Sequence, residues 1–210
     1  MKVVVTDVDG VVFDVGSSWR EFHRHFGTYD ESKVENLRKL YLSGRISYQE
    51  WGDEEVKVWK GLPYSKFEEI CMNFPLVEGA GEAVKEIKGR GYYLAAVSSG
   101  GLKRPVEKRL KALGYDEVHS NDLEEVDGIL TGKFILSVEY KNKHSVVEKI
   151  LEEMGASWDD CIVVGDDMND RSMIRKAGLS IAFCPKDERL VKSAKVVVTE
   201  KNLRRVLDYL

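Results

Sequence analysis

The sequence predicts an α/β protein: a doubly wound parallel sheet whose chain is interrupted, just after the first strand, by an inserted four-helix bundle. Three observations carry that prediction. Short β-branched runs alternate with segments of helical period from residue 80 onward. One further run of this kind, Val3-Val4-Val5, stands alone near the start. Between the two lie residues 18–74, which hold four helical patterns and no strand.

Val3 to Val5 is too brief for a helix and has the composition that a strand buried on both faces requires. It ends on Asp7, Asp9 and Gly10, continues apolar through Val11, Val12 and Phe13, and reaches a hinge at Asp14-Val15-Gly16-Ser17. Trp19, Phe22 and Phe26 share one face of the first predicted helix; Val34, Leu37, Leu40 and Tyr41 share one face of the second. The third opens with a capping box, Ser47 and Glu50, and buries Tyr48, Trp51 and Trp59. The fourth opens with another, Ser65 and Glu68, and carries Phe67, Ile70, Cys71 and Phe74. Gly27, Gly44 and Gly61 separate the helices as stops. β-rich sequence resumes afterwards, so the bundle is an insertion: residues 16–75 form one unit, and 1–15 with 76–210 form the other.

Pro75 to Gly79 forms the return hinge. There follow helix 80–88, strand 92–97, helix 102–113, a strand near 117–120 and a hairpin turning at Asp127-Gly128. Helix 143–154, strand 161–164, helix 170–177, strand 180–184, helix 187–193, strand 195–199 and a last helix from Asn202 complete the set.

Composition bounds the function. A formal charge of −4 provides no basic field for nucleic acid, and no Lys/Arg-rich block suggests a membrane surface. No apolar stretch is long enough to span a bilayer. A strand beginning at Lys2 leaves no room for a signal peptide. Cys71, Cys161 and Cys184 are odd in number and sit in apolar contexts, as buried thiols of a reducing cytoplasm do. Nothing in the sequence sets an oligomeric state.

Polar residues cluster at strand ends, where open α/β sheets place their ligands. Asp7-Val8-Asp9-Gly10 reads equally as a solvated turn or as a site for a hard cation. It is not an EF-hand loop, because Ser18 stands where the bidentate Glu belongs. Ser98-Ser99-Gly100-Gly101 follows strand 92–97; it reads as an anion cradle of backbone N–H groups, or as a plain helix cap. Gly165-Asp166-Asp167-Met168-Asn169-Asp170 crowds three acids and an amide onto one loop, more than an acidic helix start accounts for. Lys141 and Lys143 sit at a helix N-terminus, against the macrodipole, and read as charges beside an anion or as the commoner solvated lysines. His23, His25, His119 and His144 are too scattered for a metal cluster.

The ordered set Asp-x-Asp, Ser, Lys, Gly-Asp-x-x-Asn-Asp closely resembles the haloacid dehalogenase superfamily of phosphatases, over the whole chain and most strongly at 2–13, 92–104 and 161–184. The inserted bundle resembles the helical cap of its phosphoserine phosphatase branch, as do Val77-Glu-Gly-Ala and the run from Lys176 to Cys184. The resemblance implies a Rossmann-like core and a Mg²⁺-dependent phosphatase acting on a small phosphorylated metabolite. It implies that Asp7 attacks phosphorus to form an aspartyl-phosphate and that Asp9 serves as acid and then base. Mg²⁺ would be held by the Asp7 carboxylate, the Asp9 carbonyl, Asp166 and waters. Ser98, with the backbone of Ser99 and Gly100, would bind the phosphoryl group, and Asn169 would orient that group or a metal water. Lys143 would neutralise charge; it is preferred to Lys141 because the Val-Val-Glu-Lys-Ile that follows matches the family's register. Asp170 would orient the cluster from behind it, or serve as a ligand in some variants, and Asp167 would face solvent.

The substrate expectation departs from that branch. Its cap arginine, which takes the substrate carboxylate, is matched here by Glu55; its glutamate for the amino group is matched by Gly16; and Gly10-Val11 replaces a small hydroxyl pair. An acid in place of a carboxylate clamp would repel phosphoserine, so the sequence predicts a phosphatase that does not prefer it. Phosphoserine hydrolysis, or phosphotransfer or mutase chemistry through the same intermediate, is the alternative. A receiver-type signalling domain is disfavoured, since its phosphoacceptor lies on a middle strand and it has no helical insertion.

Overall fold

The computed structural model describes residues 2–210. Six parallel strands form one sheet in the order β3-β2-β1-β6-β7-β8. They are β1 (Val3–Thr6), β2 (Tyr93–Val97), β3 (Glu117–His119), β6 (Cys161–Gly165), β7 (Leu179–Phe183) and β8 (Val196–Val198). Alternate residues of a strand face opposite layers, and both layers are apolar. Val3, Val5, Ala95, Val97 and Val163 pack beneath α7 (Lys143–Glu153) and α8 (Arg171–Ile174). Val4, Leu94, Ala96, Ile162 and Val164 pack under α5 (Ala80–Gly89) and α6 (Lys103–Leu113). The sheet is therefore buried on both faces, which explains why its strands read as unbroken valine and alanine runs.

Residues between β1 and α5 form the insertion, with α1 (Ser18–His25), α2 (Glu31–Leu42), α3 (Tyr48–Val56) and α4 (Tyr64–Met72). Its entry and exit lie side by side: Asp14 N–H donates to the Pro75 carbonyl at 2.8 Å, and Val77 N–H donates to the Val12 carbonyl at 2.9 Å. The bundle interior is aromatic. Trp59, Phe22 and Phe67 are wholly buried, and Trp19 stacks on Trp59 with ring centroids 5.7 Å apart. The Ser47–Glu50 capping box forms as the sequence predicts. The Ser65–Glu68 box does not: α4 begins at Tyr64, with Pro63 as N-cap and no side-chain cap bond. The Tyr64 backbone N–H instead donates to the Gly128 carbonyl at 2.8 Å and its hydroxyl to Asp122 Oδ1 at 2.7 Å, so tertiary contacts hold that helix start.

The hairpin β4 (Asp122–Val126) and β5 (Ile129–Ile135) turns at Asp127-Gly128, both with positive φ, and stands apart from the main sheet. It leans on the bundle: Phe134 N–H donates to Asp53 Oδ1 at 2.9 Å, and any side chain larger than hydrogen at Gly52 would strike the Phe134 ring. The predicted helix 170–177 is a 3-10 turn over Met168–Asp170 followed by the short α8, and the last predicted helix is a 3-10 helix over Leu203–Tyr209. Helix α9 (Glu188–Val191) precedes β8. Among the described residues, no helix is long and apolar enough to cross a membrane.

Candidate active site

Strands β2, β1 and β6 are adjacent and in register, Thr6 pairing with both Ala96 and Val164. Their carboxyl ends therefore deliver Ser98, Asp7 and Asp166 to one spot, although more than sixty residues separate each from the next in the chain. Asp7 is buried, and its backbone is fastened by donation of its N–H to the Val164 carbonyl at 2.9 Å. Gly10 follows with φ +84°; a Cβ there would lie 1.9 Å from Asp166 Oδ2, so only glycine lets the loop after β1 approach the loop after β6.

Of the two candidate lysines, only Lys143 enters the cluster. It is wholly buried, with Nζ 2.8 Å from Asp7 Oδ1 and 2.7 Å from Asp170 Oδ1. Burial works against its charge, but the Asp170 and Asp7 carboxylates outweigh burial and hold the ammonium protonated. Lys141 points away: its Nζ lies 4.3 Å above the Tyr41 ring and donates to the Tyr41 carbonyl at 3.2 Å.

Asp170 is wholly buried, and both of its oxygens are engaged. Oδ1 accepts from Lys143, and Oδ2 accepts from the Asp166 and Asp167 N–H groups at 2.9 and 3.2 Å. It shapes the loop that carries Asp166. Asp167 is half-buried rather than solvent-facing, because its side chain accepts from Met168 N–H at 2.7 Å.

Asp9 is held differently. Its Oδ2 accepts the Ser18 backbone N–H at 2.7 Å, while Oδ1 is shut away from solvent with no partner. Burial, with the nearby charge of Asp7, pushes its pKa up to about 6 against the pull of the Ser18 N–H. Ser18 also accepts the Gly101 N–H on its hydroxyl at 2.7 Å, tying the acid to the Ser98–Gly101 loop.

That loop is clamped on its outer side. The Ser99 carbonyl accepts from Asn121 Nδ2 at 2.7 Å and from the Tyr48 hydroxyl at 2.8 Å, and Ser120 donates to the Gly100 carbonyl at 2.7 Å. Ser98 and Ser99 are buried. Asn169 Nδ2 donates to Ser99 Oγ at 3.0 Å, and Asn169 Oδ1 is buried without a partner.

Carboxylate oxygens of Asp7, Asp166 and Asp170 come within 4.8 Å of one another. Burial first, and then mutual repulsion with Asp7, drives the pKa values of Asp166 and Asp170 upward. The four acids Asp7, Asp9, Asp166 and Asp170 outnumber the two ammonium groups that meet them, Lys143 and Lys186, so a further cation is needed before all four can ionise. Among the described residues no donor pairs with the Asp9 main-chain carbonyl. A dry, all-oxygen, net-negative donor set suits a hard divalent cation and excludes a soft one.

The cluster opens into a cavity of about 210 Å³ between bundle, core and hairpin, lined by Asp7, Asp9, Ser98–Gly100, Asp166 and Asn169 at its floor. Sequence reasoning missed several of the residues around it. Lys186 follows β7 and reaches Asp166 Oδ2 at 2.6 Å; a lysine just past a strand's carboxyl end was the available signal. Phe134 belongs to the hairpin, and no sequence cue ties it to the site. Trp19, His23 and Trp51 line the cavity, whereas Trp59 and Tyr41 are buried in the bundle core, the Tyr41 hydroxyl donating to Glu139.

The family model for haloacid dehalogenase-like hydrolases matches residues 1–178. The chain is 35% identical, over its full length and 97% of the relative's, to a phosphoserine phosphatase of Methanocaldococcus jannaschii. It is 33% identical to a phosphoserine phosphatase of Wolinella succinogenes, with each chain covered completely. A substrate-bound phosphoserine phosphatase structure superposes with TM-score 0.85 at 34% identity, covering all of this chain and 98% of that one. A phospho-aspartyl intermediate analogue of a phosphoserine phosphatase superposes with TM-score 0.84 at 34% identity, with the same coverage.

Proposed function

The chain belongs to the haloacid dehalogenase-like hydrolases and is a phosphoric monoester hydrolase; from that premise we propose that it hydrolyses O-phosphoserine through a phosphorylated Asp7. The observation that carries the catalytic part is the buried Lys143 bridging Asp7 and Asp170, with Asp9 two residues along. The Lys143 ammonium at 2.8 Å offsets the cost of burying a carboxylate and stands where negative charge develops as Asp7 attacks.

Asp7 Oδ attacks phosphorus as the ester oxygen departs on the opposite side. The protonated Asp9 carboxyl gives its proton to that oxygen, so serine leaves as the alcohol. Asp9, now a carboxylate, takes a proton from the water that attacks the phosphoryl group on Asp7. Asp7 is freed, inorganic phosphate departs, and Asp9 is again protonated. Its pKa of about 6 lets it hold either state near neutral pH. The N–H groups and hydroxyls of Ser98, Ser99 and Gly100, with Lys143 and Asn169, hold the phosphoryl oxygens. Mg²⁺, held by the Asp7 carboxylate, the Asp9 carbonyl and Asp166, would neutralise charge on the phosphoryl group. Residues 16–75 serve as a cap that closes over the ester and keeps bulk water out.

The relatives favour phosphoserine over the sequence-based expectation that it is not preferred. That expectation rested on Glu55 replacing a carboxylate clamp, yet Arg20 and Arg38 line the same cavity and supply cations that position 55 does not. Phosphate release from O-phosphoserine with Mg²⁺, for the wild type and Asp7→Asn, tests the proposal. Turnover should fall by at least about 10³-fold in the variant, as for loss of a nucleophile. Wild-type activity surviving the substitution, or phosphate appearing in a new ester rather than free, would refute it.

A further inference from the structure

Glu55 is a buried acid that the hydrolytic steps do not use. It lies on α3, is 9% exposed, and lines the same cavity as Asp7 and Asp9. One of its oxygens accepts the Trp51 indole N–H at 2.8 Å. Among the described residues, no lysine, arginine or histidine stands within 4.0 Å of its carboxylate. Lys33, the cation whose field reaches it, spends its ammonium on the Glu54 carbonyl at 2.7 Å. Desolvation raises the carboxyl's pKa, as expected for a buried acid left without a counter-charge.

The neighbours extend the pattern. Trp19, Tyr48, Trp51 and Phe134 wall the cavity, and aromatic faces attract cations. Tyr48 stands edge-on to both Trp51 and Phe134, at centroid distances of 5.5 and 5.9 Å, so the wall is continuous. His23 lines the same space, but burial lowers its pKa to about 4; it is neutral at physiological pH and adds no competing charge. An unpaired buried carboxylate with aromatic walls, in a cavity that also holds a phosphate site, is a receptor for a small organic cation.

Building on the phosphatase reading of this cavity, we propose that Glu55 binds the ammonium group of the substrate, so that the chain selects phosphate esters of amino alcohols. The acid that speaks against a carboxylate at this position reads the other end of an amino-acid ester. Where the alcohol also carries a carboxylate, as in serine, Arg20 and Arg38 on the α1 and α2 sides of the cavity receive it. The recognised chemistry is a primary ammonium close to the ester oxygen; phosphoethanolamine and phosphoserine share it.

The test is steady-state phosphate release from O-phosphoethanolamine (ammonium only), O-phosphoserine (both groups) and 2-phosphoglycolate (carboxylate only). The wild type should show kcat/KM at least about tenfold higher for phosphoserine than for phosphoglycolate, which shares its carboxylate but lacks the ammonium, the scale expected for a buried charge pair. Glu55→Gln keeps an acceptor for the Trp51 indole and should reduce that ratio at least about tenfold, mainly through KM. Glu55→Asp should fall between, and it decides the matter if the glutamine variant does not fold. A wild-type ratio at or below one, or a ratio unmoved by both substitutions, overturns the inference. If p-nitrophenyl phosphate is turned over in an Asp7-dependent way with no preference for amines, this inference fails while the phosphatase reading stands. Absence of turnover on every ester overturns both.

Discussion

Lys143 Nζ lies 2.8 Å from Asp7 Oδ1, and solvent reaches neither side chain appreciably. The pair sets a fixed positive charge against a strand-end aspartate, and the lysine reaches it from the start of a helix 136 residues further along the chain (143 − 7).

Lys143→Met should therefore be costly twice over. Asp7 and Asp170 would face each other without a counter-ion, costing about 3–5 kcal/mol of stability, and kcat/KM should drop at least about 100-fold. Lys141→Ala should stay within about threefold of wild type, since among the described residues its Nζ bonds Tyr41 and Leu42 carbonyls and no site residue. Urea melts and phosphate release on both variants check the assignment; the reverse ranking would sink it.

Gly10→Ala places a methyl group against Asp166 Oδ2 and forces a left-handed φ on an L side chain. The backbone alone costs about 1–2 kcal/mol. Displacement of Asp166 should raise the Mg²⁺ concentration for half-maximal activity at least about tenfold, a perturbation typical of disturbed ligand positioning. A magnesium titration of activity reads this directly.

Two serines look alike in sequence and should behave differently. Ser47→Ala removes a formed capping box and should cost about 1 kcal/mol, while Ser65→Ala, exposed and outside any cap bond, should stay within about 0.5 kcal/mol. Thermal unfolding of the two variants distinguishes them.

His23 supplies a pH dependence of stability. Burial, helped by Lys33, lowers its pKa from 6.5 to about 4, so the folded state carries it neutral where the unfolded chain would bind a proton. Stability is unaffected above pH 6.5 and is lost progressively as pH falls from there toward 4. Between pH 7 and pH 5 the loss should be about 2 kcal/mol. His23→Gln should flatten that slope; an unchanged slope in denaturant melts would remove His23 as its source.

The order of strands and helices was legible because each element is amphipathic or wholly apolar with the period its geometry demands. Asp7, Ser98 and Asp166 could be picked out for a related reason, since each interrupts an apolar run at a strand's carboxyl end. Boundaries set by tertiary contacts were not legible. At the start of α4 the Tyr64 N–H is taken by the Gly128 carbonyl and its hydroxyl meets Asp122, 58 residues away, pairings no local pattern encodes. Phe134 and Lys186 join the site through a hairpin and a loop whose own sequences are ordinary, and Asn121 pins the Ser99 carbonyl from a segment with no chemical signature.

Periodicity and punctuation in the chain alone determined a parallel sheet with a helical insertion, and which strand ends carry acids. Only the folded molecule set Lys143, already preferred on register, against both Asp7 and Asp170, and decided that Gly10 must be glycine and that Glu55 faces a cavity without a counter-charge. The physical reason is range. Backbone preference and hydrophobic period act over a few residues, whereas electrostatic pairing and steric exclusion depend on distances between segments, and those exist only once the sheet has aligned its strand ends.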